Sequence, residues 1–395
     1  MPEAYHEPAL ASSTKALQAG QAAGAERTRP TVRAAEFSDY EGVAALQTRN
    51  GLPTRSREDW IALWRDNPVY QSAGGKWTIG WKLEAASREI VGFIASIPVA
   101  YRFRGREIRA AVTSSWVIDP PYRGYSFAVL NAAAKQKQVD LMLTNTASYK
   151  SDTCLRLLRW SRVPVAGWDK SYFWVTNYTG FARSLLTTYS IPMAGLMGYA
   201  LGAGLYCTEK VRNPGCDRFA GQSLEVELCA EIDARFDTFW DKLASLKPNT
   251  LLGVRDRQTL VWHFKRSIEM HRAWILRVTH GSEMIAYAVL DRADVRKIGM
   301  SRARLVDFQA ICDPREPFAA MLAWMLRKCR ADRVHVVETS GAVLANLGDP
   351  AAIAPYRRTL NAWRYYYKAL NPDLADALKE SSAWCTSHYD GDASL

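Results

Sequence analysis

No CxxC pair occurs in the sequence, and its seven cysteines are odd in number and widely spaced. Both facts exclude a disulfide framework and a structural zinc site as organising devices, so reduced thiols are expected. His263, His271, His280 and His335 show no paired spacing with carboxylates, and no metal is assigned. Also missing is any long basic run of the kind that marks a nucleic-acid arm, although Lys and Arg outnumber Asp and Glu by 51 to 40. The net charge of +11 is spread over nearly every segment and favours anionic partners only in general terms. The first residues lack a cationic start followed by an apolar core, so no signal peptide is expected and a cytoplasmic setting is the default. Rich in Ala, Gly, Glu and Ser, residues 1–28 have little surface to bury and are expected to form a mobile tail.

What is present reads as globular. Hydrophobic residues make up 48% and charged residues 23% of 395, which is long for one core and sets two domains as the expectation. A strand at Thr31–Ala35 precedes a helix carrying Val43, Leu46 and Gln47, and a second helix starts at Ser56 as its cap. Strands follow at Lys76–Leu83, Glu89–Tyr101 and Ile108–Ile118, the last stopped by Pro120-Pro121, which cannot donate to a ladder. A helix from Gly124 to about Gln138, a buried strand at Asp140–Thr144, a short helix at Asp152–Trp160 and a closing strand at Tyr172–Val175 complete a mixed α/β unit. The same order recurs more faintly after residue 224, with strands at Leu224–Leu228, Trp274–Val278, Met284–Asp291, Arg304–Ile311 and Val334–Glu338, and helices at Arg235–Ala244 and Phe318–Cys329. Tyr356-Arg357-Arg358 and Trp363 to Lys368 mix cations with aromatics and are read as a helix packed by its rings with its arginines solvated.

Between the halves, Ser184 to Thr208 carries no charge over 25 residues, with Ala194, Gly198 and Gly202 recurring every four positions. The length permits a membrane span, and the small-residue stripe permits close helix contact. Pro192, Ser190, Thr187, Thr188 and four glycines dilute the run, which favours an inter-domain packing helix, with peripheral membrane contact through 184–208 as the second reading.

The most informative stretch runs from Trp116-Val117-Ile118-Asp119-Pro120-Pro121 to Tyr122-Arg123-Gly124-Tyr125-Ser126-Phe127-Ala128. A strand ends, a tight turn follows and a helix begins, so free backbone N–H groups and the positive end of the helix dipole converge on one point. A pyrophosphate suits such a point. Gly124 tolerates unusual torsions, Ser126 and Ala128 allow close approach, and Arg123 adds a donor-rich cation.

This segment resembles the acyl-CoA pyrophosphate loop of the GNAT (Gcn5-related N-acetyltransferase) superfamily, Arg/Gln-x-x-Gly-x-Gly/Ala directly after a strand. It reads Arg123-Gly124-Tyr125-Ser126-Phe127-Ala128, with Ser126 in place of the usual Gly. The resemblance implies a GNAT-like acyl-CoA N-acyltransferase fold in two copies joined by a helical linker. The expected boundaries are a CoA-binding domain at 29–178, an apolar helical linker at 179–223, a degenerate second domain at 224–370 and a C-terminal tail at 371–395. It also implies acetyl-CoA or another acyl-CoA as co-substrate, held by Arg123, Gly124, Tyr125, Ser126, Phe127 and Ala128. Trp116, Val117 and Ile118 would pair with the pantetheine arm, and Asn145 stands where the family places an Asn on that arm, though it reads equally well as a helix cap.

Acyl transfer needs a neutral amine, a polarised carbonyl and a proton donor for the departing thiolate. Many family members supply the donor as a Tyr on the helix after the fifth strand; Cys154 to Leu158 has none, which leaves Tyr149 as the candidate, while more often such a Tyr simply packs. Asp119 is the nearest carboxylate for a base, and as a turn residue it has an equally ordinary explanation. The second half has no comparable loop, because Pro314-Arg315-Glu316-Pro317 offers no glycine and one donor fewer, so it is expected to serve as an acceptor platform or packing partner. The reading that follows is an N-acyltransferase acting on the amine of a small molecule, amino sugar or peptide. A tRNA-dependent transferase similar to the Fem ligases, and a non-catalytic scaffold at a membrane or polysaccharide, are the alternatives.

Overall fold

The computed structural model describes residues 29–212, 224–360 and 362–395. The predicted tail at 1–28 and the last part of the predicted linker lie outside the described residues. In chain order the strands are β1 (Thr31–Ala34), β2 (Gly80–Glu84), β3 (Ile90–Phe103), β4 (Arg106–Ile118), β5 (Leu141–Ala147), β6 (Ser161–Arg162) and β7 (Lys170–Val175). After the linker come β8 (Val226–Leu228), β9 (Leu252–Gly253), β10 (Ala273–His280), β11 (Glu283–Arg292), β12 (Arg302–Ala310), β13 (Val336–Ser340), β14 (Tyr356–Thr359) and β15 (Arg364–Ala369).

They form two sheets of one design. The first runs β1-β2-β3-β4-β5-β15-β6, with β9 on the far end of β3; the second, from its own outer strand, runs β8-β10-β11-β12-β13-β7-β14. In each, the fourth and fifth strands pair in parallel and the remaining pairs are antiparallel. Two sheets of identical order fit a doubled fold. The sixth strand of each sheet comes from the other half of the chain, which corrects two expectations. The strand containing Tyr172–Val175 does not close the first unit: β7 pairs with β13 and β14 in the second sheet. Trp363 to Lys368 is not a helix, because β15 lies between β5 and β6 with Tyr365, Tyr366 and Tyr367 all buried. Three adjacent rings alternate across a sheet covered on both faces, and that is why they read as a continuous aromatic run. The boundaries at 178 and 224 therefore do not separate two self-contained sheets.

The first helices follow from local chemistry. Tyr40–Arg49 buries Val43, Leu46 and Gln47 on one face, and Ser56 caps Arg57–Arg65 by accepting from Asp59 N at 3.1 Å. The helix Arg257–Glu269, capped by Asp256, went unread in the sequence; it buries only Leu260 and Phe264. The linker folds as a helical hairpin, Tyr178–Thr188 and Ala194–Arg212. Here the small-residue stripe acts as expected: a Cβ on Gly198 would stand 2.4 Å from Arg183 Cγ, and one on Gly202 would stand 2.8 Å from Thr179 Cα. No helix among the described residues is long and apolar enough to cross a membrane.

The expected tail at 371–395 is the largest departure. Its aromatic end is buried between the halves, with Trp384, His388 and Tyr389 each less than a tenth exposed. The His388 ring sits edge-on to Trp168 and Trp363, at 5.8 and 5.3 Å between centroids. Burial, helped by the nearby Arg304 guanidinium, pulls its pKa down to about 3. In the unfolded chain a histidine titrates near 6.5, so below that pH the unfolded state binds a proton that the folded state refuses. Stability is then lost as pH falls through 6.5 toward 3, by roughly 2 kcal/mol at pH 5. Thermal melts from pH 7.5 to 5 should show this fall, and His388→Gln should flatten the slope even if it lowers the melting temperature at every pH.

Candidate active site

The parallel pairing of β4 with β5 is short. It holds from Ala110↔Leu141 to Val112↔Leu143 and then stops, so the strands diverge toward their C-terminal ends. Three residues on, β4 carries a bulge: Ala95 pairs with Ser114 and Phe93 with Val117, leaving Ser115 and Trp116 opposite Ile94 alone. Ser115 takes the left-handed region at φ 53°, a conformation costly for a residue with a Cβ, and the bulge turns the strand away from β5. Val117 and Ile118 keep β3 as their only strand neighbour, so the other edge of Trp116, Val117 and Ile118 is free of strand partners among the described residues.

The chain then enters a 3-10 turn, Pro120–Tyr125, that feeds the helix Ser126–Ala134. Arg123, Gly124, Phe127 and Ala128 are exposed, while Tyr125 and Ser126 are half-buried. No side chain caps the helix start and no acidic residue lies in its first turn, so its N–H groups and positive dipole end are offered outward. Gly124 avoids the left-handed region; a Cβ there would project into open space, so the glycine keeps the surface low instead of easing a torsion. Ser126 departs from expectation in one respect. Its hydroxyl donates to Arg123 O at 2.7 Å, which leaves only its lone pairs facing an incoming anion.

The second sheet repeats the geometry without the chemistry. β12 leaves β13 after Arg304↔Glu338 and bulges at Val306. At the following helix, Arg315–Ala331, Asp313 Oδ1 accepts from Arg315 N at 3.1 Å and Glu316 sits in the first turn. Carboxylates thus occupy the positive end that stands open in the first sheet. A cleft of about 320 Å³ lies at this second divergence, lined by Phe308, Gln309, Cys312, Asn346 and the 384–387 segment. A second surface cleft of similar size, about 330 Å³, lies between the first helix and the β2–β3 strands, away from the strand divergence.

Two expected site residues are engaged elsewhere in the fold, and a third stands exposed. Asp119 faces the helix Tyr40–Arg49: Arg49 Nε lies 3.0 Å from both carboxylate oxygens, and Asn50 Nδ2 donates to Oδ1 at 2.7 Å. Burial alone would raise its pKa, but these hydrogen bonds and the Arg49 charge hold it below the usual carboxylate range. It fastens the loop to the first helix and is removed from the candidate bases. Asn145, fully buried, does not open toward a cofactor arm. Its Nδ2 donates to Asp390 O, its Oδ1 accepts from Asp392 N at 3.0 Å, and its own carbonyl accepts from Trp168 Nε1 at 3.0 Å. Tyr149 follows β5 directly and is 53% exposed, with the Lys150 ammonium 5.7 Å from its ring centre.

The C-terminal segment brings a residue that the sequence reading missed. Asp392 lies between the diverging strands: Thr146 Oγ1 on β5 donates to its Oδ2 at 2.8 Å, and Ser114 on β4 is close enough to help stabilise the carboxylate. Burial pushes its pKa above the ordinary carboxylate range, the hydroxyls pulling the other way. Its Oδ1 is enclosed and has no hydrogen-bond donor. Gly391, at φ 113°, makes this approach possible, since a Cβ there would fall 2.4 Å from the Asn145 amide. The available signal was compositional: from Ser381 to Leu395 there is no Lys or Arg, while Trp384, Cys385, His388 and Tyr389 crowd together.

No protein-family model matches the sequence, and no curated protein matches it. Solved structures match it by fold. A GCN5-related N-acetyltransferase from Anabaena variabilis superposes with a TM-score of 0.53 at 12% identity, over 87% of this chain and 73% of its own. One from Kribbella flavida gives 0.51 at 11%, over 88% and 72%. The Saccharomyces cerevisiae N-myristoyltransferase with bound myristoyl-CoA and inhibitors gives 0.52 at 9%, over 86% and 80%. The likeness covers most of the chain and shows a GNAT-type fold, and two sheets of one strand order fit a doubled arrangement of it.

Proposed function

We propose that this protein is an N-acyltransferase that moves an acyl group from acyl-CoA to an amine acceptor, using the strand divergence of the first sheet. The observation that carries the reading is the uncapped helix start at Ser126, exposed beside Arg123 and continuous with the unpaired edge of Trp116, Val117 and Ile118. A diphosphate would be held by the N–H groups of Phe127 and Ala128 and by the Arg123 guanidinium, with Gly124 admitting it closely. The pantetheine arm would then take the place of the missing strand between β4 and β5. Support also comes from the similar structures, which include N-acetyltransferases and an N-myristoyltransferase holding myristoyl-CoA.

At the divergence the acceptor nitrogen attacks the thioester carbonyl carbon, the C–N bond forms and the C–S bond breaks. The proton leaving the nitrogen passes to the Asp392 carboxylate, which lies between the diverging strands. The departing thiolate takes a proton from Tyr149, exposed beyond the end of β5, or from solvent. The cleft at the second divergence, with Gln309, Thr386 and Ser387 on its walls, suits the polar body of an acceptor amine, whether amino sugar, peptide or smaller molecule.

Acetyl-CoA and acyl-CoAs of increasing length should raise the melting temperature of the full-length protein, and Arg123→Ala should weaken the best of them about tenfold, as expected for one charge-assisted contact. Failure of every acyl-CoA to stabilise the wild type would overturn the assignment. Asp392→Asn should leave acyl-CoA affinity near wild type and lower kcat by roughly 100-fold or more. Because the base must be ionised, wild-type kcat should fall as pH drops through a value above the ordinary carboxylate range of about 4. A variant that keeps this acid limb would exclude Asp392 as the base.

A further inference from the structure

Eight of the fifteen large apolar residues exposed among the described residues fall between Tyr189 and Tyr206, in the helical hairpin. On the helix Ala194–Arg212, Gly198, Gly202 and Glu209 are buried against the partner helix, with Ala194 and Leu205 half-buried on the same stripe. At 100° per residue the exposed remainder spans roughly 240° of the helix. That arc holds Leu196, Met197, Tyr199, Leu201 and Tyr206 and no charged residue through Thr208. A helix apolar around most of its girth is ordinarily covered.

We propose that the hairpin's 189–208 tip lies in the interfacial layer of an anionic lipid surface. The shape of the apolar surface favours lipid over a protein: a docked partner covers one face, whereas a fluid apolar phase surrounds a 240° arc. Tyrosines at 189, 199 and 206 are of the type that sits at the headgroup level, and Arg183 stacks its guanidinium on Tyr199 at 4.6 Å. The charges agree. The acid nearest the tip, Glu209, is 8% exposed and turned inward toward Tyr178, Lys210 and Arg212 follow it in the sequence, and the chain as a whole is cationic. Since no described helix is apolar and long enough to span, the helix would lie along the surface, covering about 28 Å of it.

Co-sedimentation of the full-length protein with vesicles tests this, using phosphatidylcholine alone and phosphatidylcholine mixed with phosphatidylglycerol. Wild type should bind the mixed vesicles, and more weakly the neutral ones. Met193→Glu with Leu196→Glu, both residues 68% exposed and so free to change without disturbing the core, should reduce partitioning at least about tenfold. Leu246→Glu, on a leucine 60% exposed elsewhere, should bind as wild type does. The proposal is overturned if wild type stays in the supernatant with both vesicles or if Leu246→Glu loses binding equally. It is also overturned if wild type is a dimer that the double variant turns into a monomer, which would make a second copy the cover.

Discussion

A single buried guanidinium holds the two sheets and the C-terminal segment in one arrangement. Arg255 is fully buried, with Nε 2.8 Å from Asp307 Oδ2 on β12 and Nη2 3.2 Å from both Asp390 oxygens. Its Nη1 donates to Gly253 O, and Val254 N donates to Ala100 O on β3. The Tyr389 ring lies 4.5 Å from the guanidinium, and Tyr287 OH and Ser387 Oγ donate to Asp307. Opposite charge keeps Arg255 protonated and Asp307 ionised despite burial, while burial moves the Asp390 carboxyl upward. Desolvating three charged groups is expensive, and such a cluster survives only when nearly every lone pair and N–H is matched. Here the matching partners come from β3's neighbour, β12 and the C-terminal segment, so the cluster specifies where the last fifteen residues go. Asp390 then delivers Gly391 and Asp392 to the divergence of β4 and β5.

A second charged knot anchors the exchanged strand. Glu338 on β13 accepts from Arg304 at 3.0 Å, Arg358 at 2.9 Å and Ser171 at 3.2 Å, and Arg302 lies 3.3 Å away. Burial would raise its pKa, but the surrounding arginines hold it far below the usual range. Ser171 belongs to β7 and Arg358 to β14, so the knot fastens the borrowed strand and its neighbour to their host sheet. This also accounts for part of the basic and aromatic mixture at 356–368: Arg358 answers the buried Glu338, Arg364 pairs with Asp152, and the rings of Tyr365, Tyr366 and Tyr367 fill a core.

Most of the fold was legible where physical chemistry is local. Strand alternation, the Ser56 cap, the Pro120-Pro121 stop and the loop at Arg123–Ala128 each depend on neighbours within a few residues, and the elements formed near the expected places. The loop's exposure followed from the same local logic. What stayed hidden depends on contacts between distant parts of the chain. Whether Tyr172–Val175 pairs with its own sheet or the other is decided by β13, some 160 residues on, and a strand carries no mark of its partner. Asn145 looked available because its partners, Asp390 and Asp392, lie about 245 residues away. Asp119 looked like a free turn acid because Arg49 and Asn50 reach it from about 70 residues upstream. The Asp392 carboxyl was invisible as a site residue for the same reason.

Because β15 is inserted between β5 and β6, the order of synthesis matters. A growing chain completes β1 to β5 long before residues 364–369 leave the ribosome, and until then β5 is a bare, apolar strand edge. The first sheet must therefore wait for nearly the whole polypeptide, and closing so distant a pair is slow. During that wait the unpaired edge of β5 is open to mispairing with itself or with another chain.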